Sequence, residues 1–277
     1  MSRGSGAREG QPPPPPEPLA VEVLDSHAHL DIMGVDVEQT LAAAKAVGIG
    51  TVVQVGIDVP SSRWSAELAA RYDQVHAAVA LHPNEAGRGA ATDEALREIE
   101  SLAALPQVVA VGETGLDHYR TEGEDGHRQQ EASFRAHIAI AKRTGTALVI
   151  HDRDAHDDVL RVLLDEGAPD RVVFHCFSGD AAMARTCAEH GFFMSFAGPV
   201  TFKPNDGLRE AAQVAPVELL LVETDAPFLT PMPYRGRPNA PYLVPLTVRS
   251  LVETKCLDLD ELCGAIAANG RRAFRLR

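Results

Sequence analysis

From residue 21 onward, short runs of apolar, often β-branched residues alternate with longer stretches whose apolar positions recur at helical spacing. The short runs fall at 21–24, 51–55, 77–80, 108–111, 147–150, 171–174, 192–195 and 219–222. Most are continuous rather than alternating in hydrophobicity, as strands covered on both faces by helices must be. Helical stretches at 37–47, 61–71, 93–103, 128–142, 155–164, 181–189, 207–214, 246–254 and 258–268 fill the gaps. Thr92 and Asp258 stand at N-cap positions, and Gly48, Gly145 and Gly191 stop helices as left-handed C-terminal glycines do. The pattern predicts a parallel α/β sheet. Periodicity alone leaves it either closed into a (β/α)8 TIM barrel or open and doubly wound.

The polar residues favour the barrel. In that fold functional groups gather at the C-terminal ends of several different strands, and five of the eight runs lead into a metal-ligand side chain. His27 and His29 follow the first run, Glu113 the fourth, His151 the fifth, His175 the sixth and Asp225 the eighth. A spacing of two on an extended chain puts the imidazoles of His27 and His29 on one face, where they can chelate one ion. Barrel closure brings Asp225 beside them. Glu113 can place one carboxylate oxygen on that ion and the other on a second ion held by His151 and His175. Taken singly, each residue has a plainer reading: a histidine hydrogen-bonded in the core, or a carboxylate in an ion pair or helix cap. Their convergence from separate strands favours a metal site.

Composition adjusts the picture at the edges. The first 20 residues, with a proline run at 12–16, hold little to bury and predict a disordered tail before a barrel domain at 21–277. A net charge of −13 excludes a broad basic face for stable duplex binding, though bound cations would reverse the potential within a carboxylate-lined cleft. Four cysteines without CxxC spacing do not describe a disulfide framework. With no membrane-length apolar run and no signal-like N-terminus, a soluble cytoplasmic protein is expected, with no membrane partner.

The segments Asp25-Ser26-His27-Ala28-His29-Leu30-Asp31, Gly112-Glu113-Thr114-Gly115-Leu116-Asp117, Ile150-His151-Asp152-Arg153, His175-Cys176-Phe177-Ser178-Gly179 and Glu223-Thr224-Asp225-Ala226-Pro227 together resemble the TatD family of metal-dependent deoxyribonucleases. The resemblance runs from about residue 24 to 274. It implies an amidohydrolase-type TIM barrel, two divalent ions and 3′→5′ exonuclease activity on single-stranded DNA, with RNA as a further substrate to consider. It also implies that His27, His29, Glu113, His151, His175 and Asp225 are the metal ligands, none of them substituted. Glu113 stands where many related amidohydrolases carry a carbamylated lysine. Departures from the family pattern lie at His118, His137 and the segment 235–242, and they bear on substrate preference.

The implied chemistry is attack on phosphorus by a water activated between two metal ions, with Asp225 orienting or deprotonating it. Arg153, two residues past His151, shares its side of the strand and suits a phosphate. Its plainer reading is an ion pair with Asp152, Asp154 or Asp157. Lys203 after the seventh run is a second substrate-binding candidate, and His82 after the third is a catalytic candidate at the phosphate or leaving group. Glu223 is placed to position a histidine ligand or the water. No aromatic stripe exists to stack many bases, so binding is expected at the terminal nucleotides, with Tyr119, Phe228 and Tyr234 nearest the mouth. A metal hydrolase acting on aminoacyl-tRNA, a small amide or a lactone is the alternative, because the ligands do not fix the bond that is cut. Zn²⁺, Mn²⁺ and Mg²⁺ all remain candidates. Oligomeric state is not legible.

Overall fold

The computed structural model describes residues 10–276. Eight parallel strands pair in sequence order: β1 (Val23–Ala28), β2 (Ile49–Val55), β3 (Val75–Val79), β4 (Val108–Asp117), β5 (Ala147–Arg153), β6 (Val172–Phe174), β7 (Phe193–Phe196) and β8 (Leu220–Val222). The intervening helices are α1 (Val37–Ala46), α2 (Val59–Arg71), α3 (Pro83–Ala86), α4 (Asp93–Ala103), α5 (Glu124–Thr144), α6 (His156–Glu166), α7 (Ala181–Glu189), α8 (Asp206–Val214), α9 (Val244–Lys255) and α10 (Leu259–Phe274). This is the TIM barrel that the polar residues at the strand ends favoured. Val52, Val53, Ala78, Val79, Val111, Leu148 and Ile150 are all inaccessible, as strands sandwiched between barrel interior and helical layer should be.

Closure between the last and first strands occurs just past β8. Ala28 bridges Ala226; Asp225 N donates to His27 O at 2.9 Å and His29 N to Ala226 O at 2.8 Å. Below this point the Asp25 carboxylate accepts from Thr224 N (2.9 Å) and Thr224 Oγ1 (2.5 Å), doing the work of a missing ladder. Burial pushes the Asp25 carboxyl up to about 7, against the lowering effect of these bonds. The seam that closes the barrel thus carries His27, His29 and Asp225.

Three strands outrun their apolar runs. β1 continues through Ala28, β4 through Asp117 and β5 through Arg153, so His27, Glu113 and His151 lie inside strands rather than after them. A hydrophobic pattern stops at the first polar side chain, whereas the backbone ladder continues, pairing Gly115 with His151 and Asp117 with Arg153. Glycine is required at 115: its φ is +139°, and a Cβ there would lie 2.1 Å from His151 O. α3 was not expected, being a single turn that begins at Pro83. α5 begins with the charged, exposed Glu124 and Asp125, which give no apolar period to read. Thr92 and Asp258 cap their helices, and Gly48, Gly145 and Gly191 all have positive φ.

Of the segment expected as a tail, residues 1–9 lie outside the described residues. Residues 11–19, by contrast, run along the barrel. Gln11 O and Pro12 O accept from Arg237 Nε and Nη2 at 2.8 and 2.9 Å, Pro13 O from Tyr242 Oη at 2.7 Å, and Glu17 O from Arg249 Nη2 at 2.8 Å. Leu19 is buried and donates its N–H to Val47 O. The expectation weighed only what the prolines could bury. Proline lacks a donor but keeps its carbonyl acceptor, and the barrel's arginines use it. No helix among the described residues is long and apolar enough to cross a membrane.

Candidate metal centre

Six expected ligands meet at the C-terminal end of the barrel. His27 Nε2 and His29 Nε2 lie 3.2 Å apart at the end of β1. Asp225 Oδ1 faces them across the seam at 3.9 and 3.5 Å. Its backbone is left-handed, with φ +53°, a conformation that aspartate tolerates better than most residues and that turns the carboxylate inward. Glu113 comes from the opposite wall. Its Oε2 lies 3.4 Å from His27 Nε2 and 3.7 Å from His29 Nε2, while its Oε1 lies 2.6 Å from His151 Nδ1 and 2.9 Å from His175 Nε2. The two oxygens of one carboxylate therefore serve two separate histidine groups.

The orientation of each ring identifies the nitrogen it offers. His29 Nδ1 is 3.1 Å from Val55 O, His151 Nε2 is 3.2 Å from Asp117 Oδ2, and His175 Nδ1 is 3.1 Å from Glu223 Oε1. Carbonyl and carboxylate oxygens only accept, so those nitrogens carry a proton, and the other nitrogen of each ring faces the cluster, where it would offer its lone pair to a cation. His82 differs. Its Nδ1 accepts from Asn84 N at 3.0 Å, which leaves the proton on Nε2, 3.3 Å from Glu113 Oε1. His82 therefore donates to the bridging carboxylate and offers the cluster no lone pair in this arrangement.

These residues fit divalent cations. Donor atoms of His27, His29 and Asp225, and of His27, His175 and Glu223, each lie within 4.8 Å of one another. Buried lone pairs this close repel one another unless positive charge lies between them. His27 Nδ1 and Glu223 Oε2 are buried with no hydrogen-bond partner. The protonation equilibria tell the same story. Burial disfavours charge on Glu113, but His175, His82 and His151 hold its carboxyl well below the usual range. Burial lowers His29 and His175 too, yet Asp225 and Glu113 bring His29 up to about 9, and Glu113 with Glu223 raises His175 well above its ordinary value. Protons fill the role of cations when the carboxylates have nothing else to balance them.

Around this core, Glu223 is fully buried and holds both His175 Nδ1 and Cys176 N, the latter at 2.9 Å. Asp117 was not singled out from sequence. It anchors His151 and also accepts from Arg120 N (2.8 Å) and Asn84 Nδ2 (3.2 Å). Its signal was available, because positions 113, 115 and 117 share one face of an extended β4. Arg153, at the end of β5, lies over the Tyr119 ring at 3.9 Å and has no carboxylate partner among the described residues, so the ion pair considered for it does not form. Lys203 sits exposed in the loop after β7 and touches none of the ligands.

An eight-stranded barrel whose mouth gathers histidines and carboxylates around a bridging glutamate is the architecture of a metal-dependent hydrolase. The family described as TatD related DNase matches residues 24–275, and the chain belongs to it. A Mycobacterium tuberculosis protein named as the uncharacterized metal-dependent hydrolase TatD is 49% identical over 92% of this chain and 98% of its own length. The Bacillus subtilis metal-dependent hydrolase YabD, also named as uncharacterized, is 39% identical over 92% of this chain and 99% of its own. The crystal structure of YjjV, a TatD homolog from Escherichia coli, superposes with a TM-score of 0.85 at 27% identity, covering 92% of this chain and 98% of that one.

Proposed function

We propose that this hydrolase cleaves phosphodiester bonds as a 3′→5′ exonuclease on single-stranded DNA, at a centre of two divalent ions. The observation that carries the reading is Glu113, whose two oxygens divide between the His27/His29 pair and the His151/His175 pair. His27, His29 and Asp225 would hold one ion, and His151 and His175 the other, with Glu113 shared. Bound there, the ions supply charge that acidifies a water and polarises a phosphoryl oxygen. Mixed nitrogen and oxygen donors suit Zn²⁺ or Mn²⁺ and admit Mg²⁺ in excess.

The chain's own groups divide the remaining work. Asp225, with 14% of its side chain exposed, is the most accessible of the cluster carboxylates and takes the proton of the attacking water. His82 Nε2–H steadies Glu113, and Glu223 and Asp117 fix the rings of His175 and His151. Arg153, with an uncommitted planar guanidinium, contacts the scissile phosphate, and Lys203 meets phosphate further out. Cys176, Cys187, Cys256 and Cys263 are all free thiols, which supports a cytoplasmic setting.

The test is an anaerobic metal analysis followed by a cleavage screen over single-stranded DNA, RNA, aminoacyl-tRNA and small amides or lactones. Release of 5′-mononucleotides from DNA is expected. Turnover of an amide or acylated tRNA without any nucleotide release would replace the nuclease reading with the alternative one.

A further inference from the structure

The chain is acidic, and several arginines of its helical layer are committed to ion pairs. Arg135 reaches Glu166 at 2.6 Å, Arg143 reaches Glu100 at 2.6 Å and Arg161 reaches Glu131 at 2.9 Å. Two cations on the mouth, besides Arg153, are different. Lys203, after β7, and Arg235, after β8, are exposed and have no carboxylate partner among the described residues. Arg235 instead lies over the Phe202 ring, its guanidinium carbon 4.4 Å from the ring centre.

The loops that carry them form one unit. Met232 N donates to Thr201 Oγ1 at 2.8 Å, and a Cβ on Gly198 would meet Leu229 O at 1.9 Å, so the two backbones are in direct contact. The same loop that carries Asp225 into the metal centre also carries Phe228 and then Arg235. Phe228 is 36% exposed, with its ring 6.3 Å from that of His29, an apolar face left open beside the reacting position.

We infer that Arg235 and Lys203, mounted on Phe202, form a second phosphate subsite that holds the uncleaved part of single-stranded DNA beyond the scissile bond. The inference rests on the nuclease reading above. Unpaired cations attract a polyanion, a guanidinium over a ring face keeps its donors free for phosphate, and Phe228, on the loop that joins Asp225 to Arg235, supplies a stacking face for the terminal base. The binding footprint is therefore wider than the terminal nucleotide that the scarcity of aromatics suggests. A small amide or lactone would leave this sector unused.

The test compares the holoenzyme with R235A, with the R235A/K203A double variant, and with R97A, which removes an equally exposed charge from α4. The ratio of kcat/KM on a ten-nucleotide strand to kcat/KM on a dinucleotide should fall about tenfold in R235A and further in the double variant, and hold in R97A. R235K, keeping charge without the plane, should recover part of it. In fluorescence anisotropy the slope of log affinity against log salt should lessen by about 0.7 for each phosphate contact removed. A general disturbance of the metal centre would lower both substrates equally, so an unchanged ratio overturns the subsite while strand degradation by the wild type keeps the nuclease reading. If the wild type degrades no strand, both fall together.

Discussion

His137 and His175 are both buried, the first in the seam between α5 and β3, the second at the mouth of the barrel. His137 donates from Nδ1 to Ser133 O at 2.7 Å and accepts at Nε2 from Leu81 N at 3.1 Å, with no carboxylate in reach. Burial pushes it down to about 4. His175 feels the same desolvation but lies 2.9 Å from Glu113 Oε1 and 3.1 Å from Glu223 Oε1, and it is raised well above the ordinary value. Burial alone therefore distinguishes nothing. The neutral partners of His137 make it a satisfied core residue, whereas the carboxylates around His175 leave a standing demand for positive charge that a metal cation would meet.

The largest effect should come from removing a carboxylate charge at the mouth. Asp225→Asn should lower kcat at saturating metal by about 10³-fold, the scale of a lost proton acceptor, with unchanged far-UV circular dichroism. Near-normal turnover would take Asp225 out of the chemistry and reduce the mouth to a structural metal site. At His137 the effect lies in stability. The unfolded chain takes the histidine proton near 6.5, whereas the folded chain resists it until about 4. The native state is thus fully favoured above pH 6.5 and loses up to about 3 kcal/mol as pH falls to 4. Urea unfolding of wild type and His137→Asn at pH 7.5 and 4.5 isolates this contribution, since the mouth residues titrate alike in both. The variant should lose less stability on acidification, and equal losses would show that His137 carries no such penalty.

Much of this was legible in the sequence, for reasons that also explain what was missed. His27, Glu113, His151, His175 and Asp225 stand out because each interrupts or ends an apolar run, and interruption is visible without coordinates. Asp117 and Arg235 were hidden for opposite reasons. Asp117 lies six residues beyond the apolar part of β4, past the point where hydrophobicity marks a strand. Arg235 gains meaning only from Phe202, which comes from another loop. Residues 11–19 hold little to bury, and the partners of their carbonyls, Arg237, Tyr242 and Arg249, lie more than 200 residues away in the chain. Pattern reading finds residues that differ from their neighbours in sequence; it does not find residues whose role is fixed by a partner in space.

Asp117 offers the finest test, because it belongs to the mouth yet touches the cluster through one ring only. Its Oδ2 accepts from His151 Nε2 and so turns Nδ1 toward Glu113 Oε1, where that nitrogen would serve as the ligand of a bound cation. An asparagine can still present an oxygen to that N–H, but without the negative charge that makes the ring a better donor. Asp117→Asn should therefore weaken apparent metal affinity by about 10-fold and Asp117→Ala by nearer 100-fold, measured by titrating metal into the apo-protein. At saturating metal kcat should stay within a few-fold of wild type, because the groups that meet the substrate are unchanged. A collapse of kcat matching that of Asp225→Asn, with metal affinity intact, would instead place Asp117 among the groups that move protons.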